Sequence, residues 1–295
     1  MHVFIAGATG YIGGAVTARL LEEGHRVSGL ARSESKAAAL EELGVTPIRA
    51  ELWDLGIVAR AAREADAVVN AANADDCVVA ELLVDTLEGT GKTLIHTSGT
   101  SVVADRALGE PGGGLFTEDR PLTPLPERQL RVGVERIVIE GADRGIRSIV
   151  IRPALIYGRG RGLNPHSYQL PQLARVARER GRPAHVGRGL NVWSNVHIED
   201  VADLYASALG EAPAGSVFFC ESGEASWRDM AAAVGRAIGL AEEPEPLSLE
   251  DSLRAFGIGA VTSFGSNSRV SAEKARRMLG WKPSAATIWD HLTTD

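Results

Sequence analysis

Three glycines spaced three apart, Gly7, Gly10 and Gly13, stand with Thr9, Tyr11 and Ile12 directly after the apolar run Val3-Phe4-Ile5-Ala6. Positions without side chains let a chain turn tightly and approach a pyrophosphate closely, and a helix starting there offers it unpaired N–H groups and a partial positive charge. That chemistry is phosphate binding, and between a strand and an amphipathic helix it points to a dinucleotide. About 20 residues further on, at the end of a second strand, a carboxylate would bind a free ribose 2′-hydroxyl. The sequence there is Gly29-Leu30-Ala31-Arg32-Ser33, with no carboxylate at the strand end. Arg32, beside Ser33, has a planar fork that pairs with a 2′-phosphate, so NADP(H) is favoured over NAD(H). Set against this are the acidic neighbour Glu34 and the reading of Arg32 as a solvated surface charge.

The elements that must position these residues follow from periodicity. Val3 to Ala6, Arg26 to Ala31, Thr46 to Ala50, Ala67 to Asn70, Thr93 to Thr97 and Ile146 to Tyr157 read as strands. Between them, helical spacing follows Ile12 up to Gly24, spans Ser33 to Leu43, runs from a cap at Asp54 to about Ala65, and covers Cys77 to Leu87. This alternation predicts an α/β fold, a Rossmann-type doubly wound parallel sheet with a smaller C-terminal substrate lobe. After Tyr157 the loop Gly158-Arg159-Gly160-Arg161-Gly162 leads into an insertion helix over Ser167 to Arg180. A strand over Val192 to Ile198 and a helix over Asp200 to Leu209, capped by Asp200, come next. Glu242 to Pro246 reads as a linker and 255–268 as an uncharged loop. Residues 1–157 plus about 192–210 are assigned to an NADP-binding domain, and 158–191 plus about 211–295 to a substrate-binding lobe.

Composition bounds the partners. Thirty-one basic against 38 acidic residues in a chain of 295 give a net charge of -7 without a basic tract, which argues against nucleic acid and anionic membranes. The expected partner is a small-molecule substrate. Cys77 and Cys220 are too few for a disulfide framework and lack metal-ligand spacing, so no metal is expected and a reducing, cytoplasmic setting fits. The uncharged stretch 3–18 has no Lys or Arg before it and is interrupted by glycines, unlike a secretion signal.

Further segments carry a resemblance. Glu51-Leu52 stands where an Asp-Leu near adenine is usual, Asn70-Ala71-Ala72-Asn73 follows the fourth strand, and Thr97-Ser98-Gly99 ends the fifth. Arg152-Pro153-Ala154-Leu155-Ile156-Tyr157-Gly158 ends the sixth, and Asn195-Val196-His197-Ile198-Glu199-Asp200 follows later. With the glycine loop, these resemble the extended short-chain dehydrogenase/reductase superfamily nearly end to end, in the branch of nucleotide-sugar epimerases, dehydratases and 3β-hydroxysteroid-dehydrogenase-like proteins. The resemblance implies that Asn70, Ala71, Ala72, Asn73, Thr97, Pro153, Ala154, Leu155 and Ile156 join Glu51 and Leu52 around the cofactor. A homodimer is common in that superfamily, although the stripe Val134, Ile137 and Val138 fits the protein's own core equally well.

The chain departs from the superfamily where its chemistry sits. Members use a Tyr-x-x-x-Lys pair on one helix face, the Lys favouring a phenolate and the Tyr moving the proton. Here the tyrosines are Tyr11, Tyr157, Tyr168 and Tyr205, and no lysine lies between Lys92 and Lys274. Anchoring the helix on Glu135 puts Glu127 at the Tyr position and Arg131 at the Lys position, where an arginine still holds a ribose or phosphate but relays protons poorly. The superfamily's Ser/Thr position falls on Gly99, between Ser98 and Thr100. Candidate proton donors lie after the sixth strand: His166 and Tyr168, near Asn164, which equally suit packing or capping of the insertion helix.

Tyr157 and His197 read as packing residues, and Trp193, Trp227, Trp281 and Trp289 as the core of the C-terminal lobe, Trp193 being also a pocket candidate. Arg159, Arg161 and Arg188 suit either a clamp for a substrate anion or solvated loops. The leading expectation is an NADP(H)-dependent oxidoreductase acting on a small carbonyl or hydroxyl compound. The alternatives are a non-catalytic NADP(H)-binding regulator and a nucleotide-sugar epimerase or dehydratase.

Overall fold

Side chains of the first strand alternate between two cores, Val3 and Ile5 in one and Phe4 and Ala6 in the other, in the computed structural model of the chain, which describes residues 1–294. Such alternation follows from the pleat, and both faces being apolar means both are covered. The strands of the large sheet are β1 (His2–Ala6), β2 (Arg26–Ala31), β3 (Thr46–Arg49), β4 (Ala67–Asn70), β5 (Thr93–Thr97) and β6 (Arg147–Pro153). The helices between them are α1 (Tyr11–Glu22), α2 (Glu34–Glu42), α3 (Leu55–Glu64), α4 (Cys77–Leu87) and α5 (Gln129–Glu140). The remaining elements are β7 (Leu155–Tyr157), α6 (Gln169–Arg180), β8 (Ala184–Val186), β9 (Val192–His197), α7 (Ile198–Glu211), β10 (Ser216–Cys220), β11 (Gly223–Ser226), α8 (Trp227–Ala237), β12 (Glu245–Leu247), α9 (Leu249–Phe256), α10 (Gly259–Thr262), α11 (Glu273–Leu279) and α12 (Ile288–Thr294).

The seven-stranded sheet has the order β10-β6-β5-β4-β1-β2-β3, with every pairing parallel. The chain winds outward in both directions from β1 and β4, and ligands of such sheets bind beyond the strand ends at that reversal. One face carries Val16 and Leu20 of α1, Val201 and Leu204 of α7, and Leu279 of α11; the other carries Val58 of α3, Leu83 of α4, and Val134 and Val138 of α5. The stripe on α5 therefore packs into the protein's own core, with Ile137 partly buried beside it. Between α5 and β6, Glu135 and Arg152 form a buried bidentate ion pair, with Nε–Oε1 at 2.9 Å and Nη2–Oε2 at 2.7 Å.

Several expectations are corrected. The run Ile146 to Tyr157 is two strands: Pro153 closes β6, the Ala154 N–H turns to the Cys220 carbonyl at 3.0 Å, and β7 joins a second sheet of order β11-β9-β7. A proline offers no N–H to continue a ladder, which suits it to a strand end. Residues 216–220, expected in the lobe, form the edge strand β10 of the large sheet, while 192–197, assigned to the NADP-binding domain, form the middle strand of the small sheet. The linker at 242–246 ends in β12, which pairs with β8, and the loop 255–268 contains the end of α9 and the short α10.

The cap of α7 is His197, whose Nδ1 accepts from the Glu199 N–H at 3.2 Å. Asp200 instead accepts the N–H groups of Ser284 and Ala285. Trp281 packs in the large core and donates to the Asp200 carbonyl, so only part of the tryptophan set serves the lobe. The lobe core is built around Tyr157, Trp193, Trp227, Phe256 and Phe264. The Tyr157 hydroxyl donates to the Ala286 carbonyl at 2.9 Å, as expected of a packing residue. Among the described residues, no helix is long and apolar enough to cross a membrane.

Candidate active site

At the end of β1 the chain reverses so tightly that only glycine fits. Gly7 has φ +96°, and a Cβ on it would stand 2.6 Å from the Ala71 carbonyl oxygen; one on Gly13 would stand 2.1 Å from that of Gly7. Gly10 caps α1 without a side-chain hydrogen bond, and the first turn carries no acidic residue, so no side chain takes up the open N–H groups of that turn. This close backbone packing fits a cradle for phosphate.

Two cavities meet at this loop, sharing Gly10, Ala71 and Ala72. The smaller, of about 310 Å³, is lined by Gly7, Thr9, Arg32, Glu51, Leu52 and Asn73, together with Trp53. The larger, of about 560 Å³, runs past Tyr11 and Ile12 to Ser98, Thr100, Arg131, Pro153, Ala154, Ile156, Asn164, His166, Tyr168 and Trp193. The sequence-derived residues are thereby brought together along one groove spanning the sheet reversal. Its shape and cradle fit a dinucleotide lying with its adenosine toward Arg32 and its other end toward Ser98.

Some of the expected residues take other places. Leu155 is fully buried in the lobe core, because alternation along β7 turns it with Tyr157 away from the groove and leaves Ile156 facing it. Thr97 accepts the Tyr205 hydroxyl at 2.7 Å. Asn70 is buried, bonding His96 Nδ1 at 3.3 Å and accepting the Ala72 N–H, so its side chain shapes the loop rather than lining it. Ser33 caps α2 by accepting the Lys36 N–H. Arg161 pairs with Glu22 and Arg188 with Glu110, away from the groove, and Arg159 lines a separate cavity; the three form no clamp.

The charges inside are specific. Glu34 is taken by Arg49 at 3.1 Å, while Arg32 is exposed and has no side-chain partner among the described residues. Arg131 is bidentate to Asp75, at 2.9 and 2.7 Å, and donates to Ser101 Oγ at 3.1 Å. The same contact holds the Asp75 carboxyl below its ordinary range. Burial pushes His96 down to about 4, so it is neutral near pH 7. Ser98 Oγ and Thr100 Oγ1 are buried without a partner among the described residues, both on residues that line the larger cavity.

Asp75, Ser101 and Ser263 join the site without having been expected, and two further residues carry more weight. Trp53, 70% exposed, stands directly after Glu51-Leu52 on the smaller cavity, and an aromatic next to that pair was a legible signal. Arg128 lines the larger cavity, whereas Glu127, expected at the tyrosine position, pairs with Arg106. Pro126–Arg128 form a 3₁₀ turn before α5, and three residues per turn shifts the register upstream of Gln129. Pro124 and Pro126 were the signal for it.

The loop after β7 lies against α1. The Tyr11 hydroxyl donates to the Gly158 carbonyl, and a Cβ on Gly14 would stand 2.8 Å from Gly162 Cα, one on Gly162 2.5 Å from Gly14 Cα. This contact carries 164–168 to the rim of the larger cavity.

Comparison with known proteins bears on the whole chain. Residues 3–219 match the NAD dependent epimerase/dehydratase family. An uncharacterized protein of Schizosaccharomyces pombe is 32% identical, covering 100% of this chain and 99% of its own length. A 2-alkyl-3-oxoalkanoate reductase of Stenotrophomonas maltophilia is 29% identical, over 88% of this chain and 82% of its own. The crystal structure of a dTDP-glucose 4,6-dehydratase from Bacillus anthracis, in complex with NAD, shares the fold with a TM-score of 0.77 at 17% identity, covering 99% of this chain and 94% of that one.

Proposed function

We propose, since the chain belongs to the NAD dependent epimerase/dehydratase family, that it is an NADP(H)-dependent oxidoreductase acting on a small carbonyl or hydroxyl compound. The observation that carries this reading is the pairing of an unpartnered Arg32 at one end of the groove with the unpartnered Ser98 and Thr100 hydroxyls at the other. Arg32 is free for a 2′-phosphate because Arg49 occupies Glu34. When bound, the nicotinamide supplies or accepts a hydride.

The chain's own residues supply the rest. Ser98 and Thr100 donate hydrogen bonds to the substrate oxygen, and Arg131, held in place by Asp75, donates to a ribose hydroxyl. His166 or Tyr168, on the rim, delivers the proton to the substrate oxygen in reduction. The related reductase acts on a carbonyl compound by its name, which supports the direction. A non-catalytic NADP(H)-binding regulator is the second reading, favoured by Glu127 and Arg131 being engaged by Arg106 and Asp75.

The test is the affinity for NADPH and NADH of the wild type and Arg32→Ala at fixed salt, followed by NADPH oxidation with a panel of small ketones and aldehydes. NADPH binds at least tenfold tighter, and Arg32→Ala erases about 1.4 kcal/mol of that preference. Binding of neither cofactor overturns the reading; binding without turnover across the panel favours the regulator.

A further inference from the structure

Arg128 closes the 3₁₀ turn before α5 with its guanidinium half-buried in the wall of the larger cavity. Its neighbours are neutralised, Arg131 by Asp75 and Arg106 by Glu127. Among the described residues Arg128 forms no ion pair, and the one hydrogen bond of its guanidinium is a long contact of 3.4 Å to the Glu127 carbonyl. Its Nε is shut off from solvent without a partner, and so is the Ser263 hydroxyl of a residue on the same cavity. Among the described residues, no Asp or Glu lines that cavity, in a chain whose net charge is -7.

Asp75 and Glu127 lie near enough to offset part of the lost hydration, but each is engaged by another arginine, and a half-buried cation with no ion pair of its own is costly. Burial, and then the nearby Arg131, lower the affinity of this guanidinium for its proton. It remains charged, as arginines do, and the missing component is an anion with two acceptor oxygens matching its fork. The groove's cofactor end already has its own cation, Arg32, and its own helix N-terminus.

We propose that Arg128 anchors an anionic substituent of the substrate, a carboxylate or a phosphate monoester, with Ser263 as a further hydrogen-bond donor. This rests on the oxidoreductase reading for the identity of the site, since it makes the substrate an anionic carbonyl or hydroxyl compound. Arg128 then sets specificity: the neutral ester or alcohol leaves the guanidinium unpaired and binds more weakly.

The test is calorimetric titration of the full chain, saturated with NADP⁺, at fixed ionic strength. The probes are 3-oxohexanoate against ethyl 3-oxohexanoate, and dihydroxyacetone phosphate against dihydroxyacetone. At least one anion binds tenfold or more tighter than its neutral counterpart, and the pair that shows the difference identifies carboxylate or phosphate. Arg128→Gln removes that difference and leaves the neutral compound within twofold; Arg128→Lys keeps part of it. Equal binding of charged and neutral members in the wild type, no saturable binding of either anion, or a preference that survives Arg128→Gln overturns the proposal. The wild-type comparison decides even if a variant fails to fold. NADPH oxidation followed with the same compounds separates the two readings: charge-dependent binding without turnover removes the oxidoreductase alone, and turnover indifferent to charge removes the anchor alone.

Discussion

Tyr11, the first residue of α1, donates its hydroxyl to the carbonyl oxygen of Gly158 at 2.7 Å, across 147 positions of sequence. Burial pushes the phenol well above its ordinary range, so it remains protonated and acts as a donor instead of a proton relay. Tyr11→Phe loses about 1 kcal/mol of stability, the net worth of one hydrogen bond. It also loosens 158–168, which carries His166 and Tyr168. Hydrogen exchange across that segment rises in the variant, and kcat falls several-fold with the less well held proton donor.

Trp53 supplies an optical signal for cofactor binding. Of the five tryptophans it is the one on the smaller cavity, and it is 70% exposed. NADPH quenches the tryptophan fluorescence of the wild type, and the quench is smaller in Trp53→Phe, where Trp193 on the larger cavity remains. Trp53→Phe keeps the affinity within twofold, and Trp53→Ala weakens it by about 1 kcal/mol, the order of one aromatic contact. Titration of the three proteins checks both statements.

The Glu135–Arg152 pair is nearly sealed from water, with side chains 1% and 6% exposed. Glu135→Ala leaves a buried guanidinium uncompensated and destabilises the fold by about 3–5 kcal/mol. The double replacement Glu135→Leu with Arg152→Met recovers most of that, since neither charge then remains buried. Guanidinium-chloride unfolding of the wild type, Glu135→Leu, Arg152→Met and the double variant measures the coupling, with Glu135→Ala alongside.

His96 makes stability fall on acidification. The unfolded imidazole takes a proton near pH 6.5, while the buried one, facing Glu135, Asp75 and Arg131, resists until about 4. The folded value is depressed, so the stability is fully present above pH 6.5 and is lost as pH falls toward 4. His185 and His197, also lowered by burial, act in the same direction. The thermal midpoint therefore drops between pH 6.5 and 4, and His96→Gln shows a shallower drop, read by calorimetry across that range.

Much of this fold was legible because its signals are local. The limits of α4 coincide with the apolar spacing from Cys77 to Leu87, and the glycine loop announces itself by spacing alone. The break at Ala154 was not legible: β6 and β7 are both buried, so the apolar run has no periodicity to mark where one sheet hands over to the other. The edge position of β10 is likewise a long-range pairing with β6. At the site, the cradle and Arg32 could be read from spacing, whereas Arg128 could not while the helix was extrapolated upstream from Glu135 at 3.6 residues per turn.

The contact between Gly14 and Gly162 has a consequence for how this chain can vary. Each glycine forbids a side chain on the other, because both Cβ positions fall in the same narrow gap between two backbones. A methyl group at either position must lift the loop from the helix, and the second methyl then enters space already vacated. Gly14→Ala and Gly162→Ala together therefore lose little more than either does alone, a non-additivity expected of sites in contact. In inheritance the two behave as a single locus: change at either is closed until the loop has risen, and afterwards it is open at both.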